Sequence, residues 1–357
     1  MIPLGVYIHW PYCRTKCRYC DFNSRPGEGG DWADWLTAYR TEWAWFRALC
    51  PGRPVDTVFF GGGTPSLMDP RLIAGLLETL APRGEVSLEA NPTSADQARF
   101  RDFRAAGVTR LSLGIQALNY SDLAVLGRTH STRDATAALD RGRSCFERVS
   151  FDLIWGRPGQ TPAGWEAELK QATALADGHL SLYQLDSPVF PTPSDDDALA
   201  MFAACHGQTL PGYEISNFAR PGQECRHNLD IWQGADYIGL GPGAHGRLGR
   251  RAFHQIANPE RWRAAVARAG HGSVGDDTLT QGQRAAEIAM LGLRLTEGLN
   301  AARFGAVTGL ALSDAIDPGQ QALLTADGLI ETTAAGLRVT PRGRVLLNAV
   351  TARLLVG

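Results

Sequence analysis

Lysine is nearly missing from this chain of 357 residues: Lys16 and Lys170 stand against thirty-three arginines, a skew that reads as a coding bias and carries no functional weight. Charge of either sign is also missing in net terms. A formal net charge of −2 gives no electrostatic case for a nucleic-acid partner. No run of eighteen apolar residues occurs, which excludes a membrane-spanning helix. Apart from a Gly- and Pro-rich linker at 25–30, neither a repeat nor a low-complexity tract is present. Residues 1–9 lack the features of a secretory leader and read as a strand, so the expected location is the cytoplasm, where thiols stay reduced. With 44% hydrophobic residues, the length suits one large α/β domain with a small appendage.

Cysteines are few, and four of the seven, Cys50, Cys145, Cys205 and Cys225, are scattered singly in the manner of small core residues. The other three fall within eight residues, Cys13-Arg14-Thr15-Lys16-Cys17-Arg18-Tyr19-Cys20. Three neighbouring cysteines cannot pair among themselves. Soft thiolates at C-x-x-x-C-x-x-C spacing can wrap one face of a [4Fe–4S] cubane, holding three irons and leaving the fourth open. Arg14, Lys16 and Arg18 are expected to favour thiolate over thiol there. A closed zinc site completed by His9 or Asp21 is the competing reading.

Short β-branched or aromatic runs at 4–10, 55–60, 85–90, 110–116, 148–155 and 179–186 predict six strands. Apolar residues at helical spacing lie between them: Trp32, Trp35, Leu36, Tyr39, Trp43 and Phe46 form one stripe, and 72–80, 95–106, 132–145 and 162–176 form others. The tryptophan stripe reads as core. Six alternations of strand and helix argue for parallel strands joined by right-handed crossovers, an open or partial (β/α)6 barrel.

In such folds ligands sit at the carboxyl ends of the strands. The cysteine loop follows the first strand, Gly61-Gly62-Gly63-Thr64-Pro65 the second, Glu89 and Gln116 end the third and fourth, and Asp152, Tyr183 and Gln184 lie in the fifth and sixth. The glycine run would let backbone groups approach a ligand closely. Polar residues recurring at one end of apolar strands would converge on one mouth.

With those residues in view, the sequence resembles the coproporphyrinogen III oxidase-like (HemN/HemW) family of radical S-adenosylmethionine proteins, and within it the heme-chaperone branch. The resemblance runs over essentially the whole chain. It rests on Tyr7-Ile8-His9-Trp10-Pro11-Tyr12-Cys13 through Cys20-Asp21-Phe22, on Phe59-Phe60-Gly61-Gly62-Gly63-Thr64-Pro65-Ser66, on Leu113-Gly114-Ile115-Gln116 and Leu126-Gly127-Arg128, and on Asp152-Leu153-Ile154-Trp155-Gly156. It implies that Cys13, Cys17 and Cys20 ligate a [4Fe–4S] cluster whose open iron is chelated by S-adenosylmethionine. It also implies that Tyr7 and Tyr19 line the adenosyl side, that Gly62, Gly63 and Thr64 contact the methionine portion, and that Glu89, Gln116, Arg128 and Asp152 make polar contacts to the same molecule. A reductant for the cluster, heme or a porphyrin, and heme-acceptor proteins, respiratory ones among them, are the partners it implies.

Two departures separate the chain from the oxidase branch, which carries a further cysteine two residues after the third ligand and a long extension before the first. Here Phe22 follows Asp21, and twelve residues precede Cys13. Whether the chain is an enzyme is left open, with oxidase activity disfavoured. The block Cys225-Arg226-His227-Asn228-Leu229-Asp230-Ile231-Trp232 resembles the family's H-N-x-x-Y-W heme segment, which implies His227 as a heme contact, with Ile231 where tyrosine is usual. The segment 186–210 is shorter than its counterpart in the family.

Beyond residue 280 the pattern changes to helices at 283–293, 301–308 and 318–327, a hairpin around Ala335-Gly336, and a last helix at 341–355. This order is similar to the family's winged-helix-like C-terminal domain; Arg338, Arg342 and Arg344 are too few for DNA recognition. The expected division is 1–210 for the partial barrel, 211–280 for the heme-motif segment packed on it, and 281–357 for the C-terminal domain.

Overall fold

The computed structural model describes residues 2–355. Its frame is an eleven-stranded sheet whose central part is the expected parallel array: β1 (Leu4–Trp10), β2 (Thr57–Gly62), β3 (Val86–Ala90), β4 (Arg110–Gln116), β5 (Arg148–Trp155) and β6 (His179–Gln184), adjacent in that order. Leu4, Val6, Ile8, Leu111, Leu113, Phe151 and Leu153 are all buried, as a parallel sheet covered on both faces requires. The first, fourth and fifth strands have the predicted ends. The second is displaced to Thr57–Gly62, because the ladder with β1 continues into the glycine run, pairing His9 with Gly61 and Trp10 with Gly62.

The crossover helices are set by their own caps. Asp31 accepts from the Ala33 N–H at the start of α1 (Trp32–Leu49), Asp69 with Pro70 opens α2 (Pro70–Leu80), and Asp96 opens α3 (Gln97–Ala106). After the short α4 (Tyr120–Val125), Ser131 and Asp134 close a capping box on α5 (Thr132–Cys145), and Thr161 with Pro162 opens α6 (Pro162–Leu175). Trp35, Tyr39 and Phe46 are buried on the sheet-facing side of α1, so the tryptophan stripe is core. Each such side chain contributes about 1.5–3 kcal/mol of apolar burial.

The remaining strands were not predicted. α7 (Asp195–Gly207), capped by Ser194, leads to β7 (Asn217–Ala219), antiparallel to β6. The chain then crosses to the opposite edge through α8 (Arg226–Trp232) and lays β8 (Asp236–Leu240) parallel to β1, a seventh parallel strand. The antiparallel β9 (His245–Leu248), β10 (Arg251–Gln255) and β11 (Ser273–Thr278) finish that edge, with α9 (Pro259–Ala269) returning over α1, where Trp262 stacks on Trp35 at 5.6 Å between ring centroids. A glycine inside β8 hid it: a Cβ on Gly239 would fall 2.0 Å from the His245 carbonyl oxygen, so the return of β9 dictates glycine against strand propensity. Residues 211–280 thus pack on the barrel by extending its sheet.

The C-terminal part comprises α10 (Gln281–Gly292), β12 (Leu299–Asn300), α11 (Ala301–Thr308), α12 (Pro318–Ala326), the hairpin β13 (Ile330–Thr333) and β14 (Gly336–Val339), and two short helices, α13 (Pro341–Arg344) and α14 (Leu347–Leu354). Its three strands order as β12-β14-β13, a winged-helix-like arrangement. The last helix is therefore two, broken where the Leu346 N–H turns back to the Gly343 carbonyl and lets Leu347 enter the core. No helix among the described residues is long and apolar enough to cross a membrane.

Candidate functional site

β1 delivers the cysteine loop to the carboxyl end of the sheet. The loop is closed at its base by a two-residue parallel ladder, Tyr12 with Arg25 and Cys13 with Pro26, and by the Gly27 N–H donating to the Cys13 carbonyl at 3.1 Å. From the other side the glycine turn grips it: Gly63 and Thr64 N–H donate to the Trp10 and Tyr12 carbonyls at 2.7 and 2.8 Å. A Cβ on Gly63 would lie 2.6 Å from the Tyr12 carbonyl oxygen. The glycine run therefore serves first to let two backbones meet, and these two amides are spent on the cysteine loop rather than pointed at a ligand.

Cys13, Cys17 and Cys20 line one cavity of about 370 Å³, together with Tyr19, Gly62, Gly63, Thr64, Glu89, Gln116, Arg128 and Asp152. All three thiols are unpaired. Ser24 Oγ lies 3.8 Å from the Cys20 sulfur, and burial holds the Cys13 thiol above the ordinary range although Thr64 and Ser24 favour its thiolate. Two of the three loop cations are engaged elsewhere: Arg14 donates to the Thr93 carbonyl at 2.8 Å, and the Arg18 guanidinium lies 5.4 Å from the Phe190 ring centroid. Arg128, from the far side of the mouth, reaches a sulfur instead. Its Nη1 donates to the Cys17 sulfur at 3.5 Å and to the Tyr19 hydroxyl at 3.4 Å.

Arg128 Nη2 donates to the Gly114 carbonyl, while its Nε is buried with no partner. A buried unsatisfied donor is costly, and one beside a cavity fits a carboxylate-bearing ligand. Gln116 ends β4 in the left-handed region at φ 74°, where β4 slips register against β5. That backbone is held from behind: Arg157 Nη1 donates to the Gln116 carbonyl at 3.3 Å and is itself clamped by Glu168, which also accepts from the Leu118 N–H at 2.7 Å. Sequence reading missed this buried pair. The only signal was an arginine directly after the Trp155-Gly156 strand end.

Two carboxyls share the cavity floor. Glu89 is pushed up to about 8, chiefly by burial and then by the nearby Asp152 charge, against the Gly62 N–H and Arg110. Asp152 is raised too, by burial first, although Ser181, Ser112 and Arg110 favour its charge; Ser112 donates to it at 3.2 Å. Two buried carboxyls this close do not both ionise readily, so Glu89 keeps a proton at neutral pH. Arg110 and Ser112, neither singled out from sequence, owe their places to the inward face of β4.

Tyr7 and His227 lie elsewhere. Both line a second cavity of about 530 Å³, which shares Phe22, Gly62, Glu89, Asp152 and Tyr183 with the first. The Tyr7 hydroxyl meets His9 Nδ1 at 3.1 Å. His227 is 3% exposed, its Nδ1 2.9 Å from the Thr57 hydroxyl and its ring 5.4 Å from Phe59, and burial lowers its pKa to about 3. His245 is exposed on β9, stacked on His254.

The zinc reading fails on geometry. Among the described residues, no three His, Cys, Asp or Glu side chains are gathered for a single ion. Tetrahedral zinc, with Zn–S bonds of about 2.3 Å, requires such gathering. His9 is also spent, its Nε2 meeting the Asn23 carbonyl at 2.8 Å, and Asp21 is exposed. Three unpaired soft donors, a guanidinium in contact with one of them and polar groups lining the same cavity fit a cluster with a carboxylate-bearing ligand beside it.

The chain matches the family model described as the radical SAM superfamily over residues 7–172 and that of the HemN C-terminal domain over residues 279–346. It is 37% identical to the heme chaperone HemW of Mycobacterium tuberculosis, spanning 99% of this chain and 95% of that protein. With HemW of Escherichia coli the identity is 34%, spanning 98% and 97%. With the mitochondrial radical S-adenosyl methionine domain-containing protein 1 of Bos taurus it is 36%, spanning 98% and 87%. The structure superposes on coproporphyrinogen III oxidase (HemN) from Escherichia coli with a TM-score of 0.83 at 24% identity, covering 98% of this chain and 89% of that one, a likeness of fold.

Proposed function

This chain belongs to the radical S-adenosylmethionine superfamily, within its HemN/HemW family, and from that premise we propose that it is a heme chaperone, binding heme and passing it to acceptor proteins. One observation carries the reading: heme chaperones match 98–99% of the chain at 34–37% identity. Phe22, 61% exposed beside the thiols, supports it, standing where oxidase-type sequences place a further cysteine.

In this reading Cys13, Cys17 and Cys20 hold the [4Fe–4S] cluster, and the 370 Å³ cavity beside them takes S-adenosylmethionine. Bound together, these groups supply one-electron chemistry at a sulfonium. The protein's own residues then have distinct tasks. Arg128 binds the ligand carboxylate through its unspent Nε. Gln116, fixed by the Arg157–Glu168 clamp, offers its amide from a preset backbone. Protonated Glu89 has a hydrogen bond to donate, and Asp152 sits beside it on the cavity wall. Tyr19 walls the sulfur side, the Gly62-Gly63-Thr64 turn borders the ligand, and Tyr7 backs the site from the second cavity, where His227 is the heme contact. A cluster reductant and respiratory acceptors complete the proposed partners, and 1–210, 211–280 and 281–357 the proposed domains.

A second reading, radical modification of a porphyrin such as coproporphyrinogen III, is favoured by the 530 Å³ cavity adjoining the first, which leaves room for a substrate. Anaerobic reconstituted protein given S-adenosylmethionine, dithionite and coproporphyrinogen III is expected to form no protoporphyrinogen. The same protein titrated with heme should bind it and yield it to an apo-hemoprotein. Protoporphyrinogen formation would reverse the order of the two readings.

A further inference from the structure

A third cavity, of about 730 Å³, opens between the barrel and the C-terminal domain; it shares no lining residue with the cavity of His227 and meets that of the thiols at Gln184 alone. Its lining includes Trp155 and Gln184 at the ends of β5 and β6, with Leu182 inside β6; the rest comes mainly from α7 and from the junction of α13 and α14. Leu199, Val345 and Leu346 are 46%, 42% and 50% exposed, and all three line this cleft, so the apolar surface is concentrated rather than scattered.

Two guanidiniums reach the same space, Arg294 after α10 and Arg344 at the end of α13. Neither belongs to an ion pair among the described residues. Arg294 Nε is buried without a partner, and Arg344 has only the through-space influence of Glu214 in its favour. Glu214 lies behind them and not in the cleft. It is 1% exposed, with one oxygen taken by the Ser216 N–H at 3.0 Å and the Asn217 amide at 2.6 Å, and burial raises its pKa. Asp195, on the first turn of α7, is the one carboxylate among the lining side chains. Paired cations over apolar walls suit a flat apolar molecule with two carboxylates on one edge, and the volume lies in the range of ligand pockets.

We propose that this cleft is an outer docking site for heme, in which Arg294 and Arg344 hold the two propionates and the apolar walls cover the macrocycle. The proposal rests on the heme-chaperone reading, and adds a place where heme is held apart from His227.

Heme binding to the full chain is followed by difference absorbance for wild type, for His227→Ala and for the double variant Arg294→Gln/Arg344→Gln, and heme dimethyl ester is titrated against wild type in parallel. Expected are a loss of affinity of tenfold or more in the double variant, a similar deficit for the ester on wild type, and a retained outer binding event in His227→Ala. Unchanged affinity in the double variant overturns the cleft while leaving the chaperone reading standing. Ester binding as tight as heme overturns it as well, and does so on unmutated protein should the double variant not fold. Wild type that binds no heme ends both.

Discussion

Arg128 Nη1 lies 3.5 Å from the sulfur of Cys17, while Nε of the same guanidinium is buried and unsatisfied. One side chain thus touches a proposed cluster ligand, lines the cavity and keeps a donor with no partner in the protein. Replacing it with glutamine should weaken S-adenosylmethionine binding to the reconstituted protein by tenfold or more, since a charge-assisted hydrogen bond is worth about 1.5–3 kcal/mol. Equilibrium dialysis checks this, with iron content as the control that the cluster is retained.

Gln116 holds a left-handed backbone at φ 74° that a β-branched residue resists. Gln116→Val should cost about 1–3 kcal/mol in chemical denaturation, whereas Gln116→Gly relieves the backbone and should be near neutral. Both should lose affinity for S-adenosylmethionine. Equal stability losses in the two variants would remove the argument that backbone geometry matters there.

Glu89 gives stability a pH signature. Its carboxyl moves from 4.5 to about 8 on folding, so between those values the folded chain binds more protons than the unfolded one. Its contribution is therefore harmless below about pH 4.5 and turns unfavourable as pH rises, levelling off above about 8. Glu89→Gln should flatten that fall in stability, measured as denaturation midpoints across the same window. A steeper fall in the variant would reverse the sign.

Arg157 and Glu168 are a buried pair whose side chains are 1% and 8% exposed. Glu168→Ala leaves the buried Arg157 guanidinium with Asp122, 3.1 Å away, as its remaining carboxylate and should cost about 1–3 kcal/mol. It should also loosen Gln116, so that S-adenosylmethionine affinity falls even at temperatures where the variant remains folded.

Much of this architecture was legible in the sequence because the parallel core writes itself in uninterrupted apolar runs. Leu4–Trp10, Arg110–Gln116 and Arg148–Trp155 could be delimited to the residue, as could Thr132–Cys145 between its capping serine and the following strand. The strands between residues 210 and 280 could not. Asn217–Ala219 is three residues long, Asp236–Leu240 contains a glycine demanded by its neighbour, and Ser273–Thr278 is mostly exposed, so none shows a buried-strand pattern. At the site, the convergence of Glu89, Gln116 and Asp152 with the thiols followed from their places along the strands, whereas Arg128 was indicated by the family resemblance alone. The partner of Cys17 was not legible, because proximity to Arg128 across 111 positions is a property of the assembled barrel rather than of the loop.

The seventh parallel strand has a consequence for assembly. β1, which carries the thiols, is flanked by Thr57–Gly62 on one side and by Asp236–Leu240 on the other. A nascent chain extruded only as far as residue 210 would leave that strand as a bare sheet margin, open to wrong pairing, until segments more than two hundred positions downstream arrive. Iron loading during synthesis would then act on an unfinished edge, so metallation is best timed after release from the ribosome.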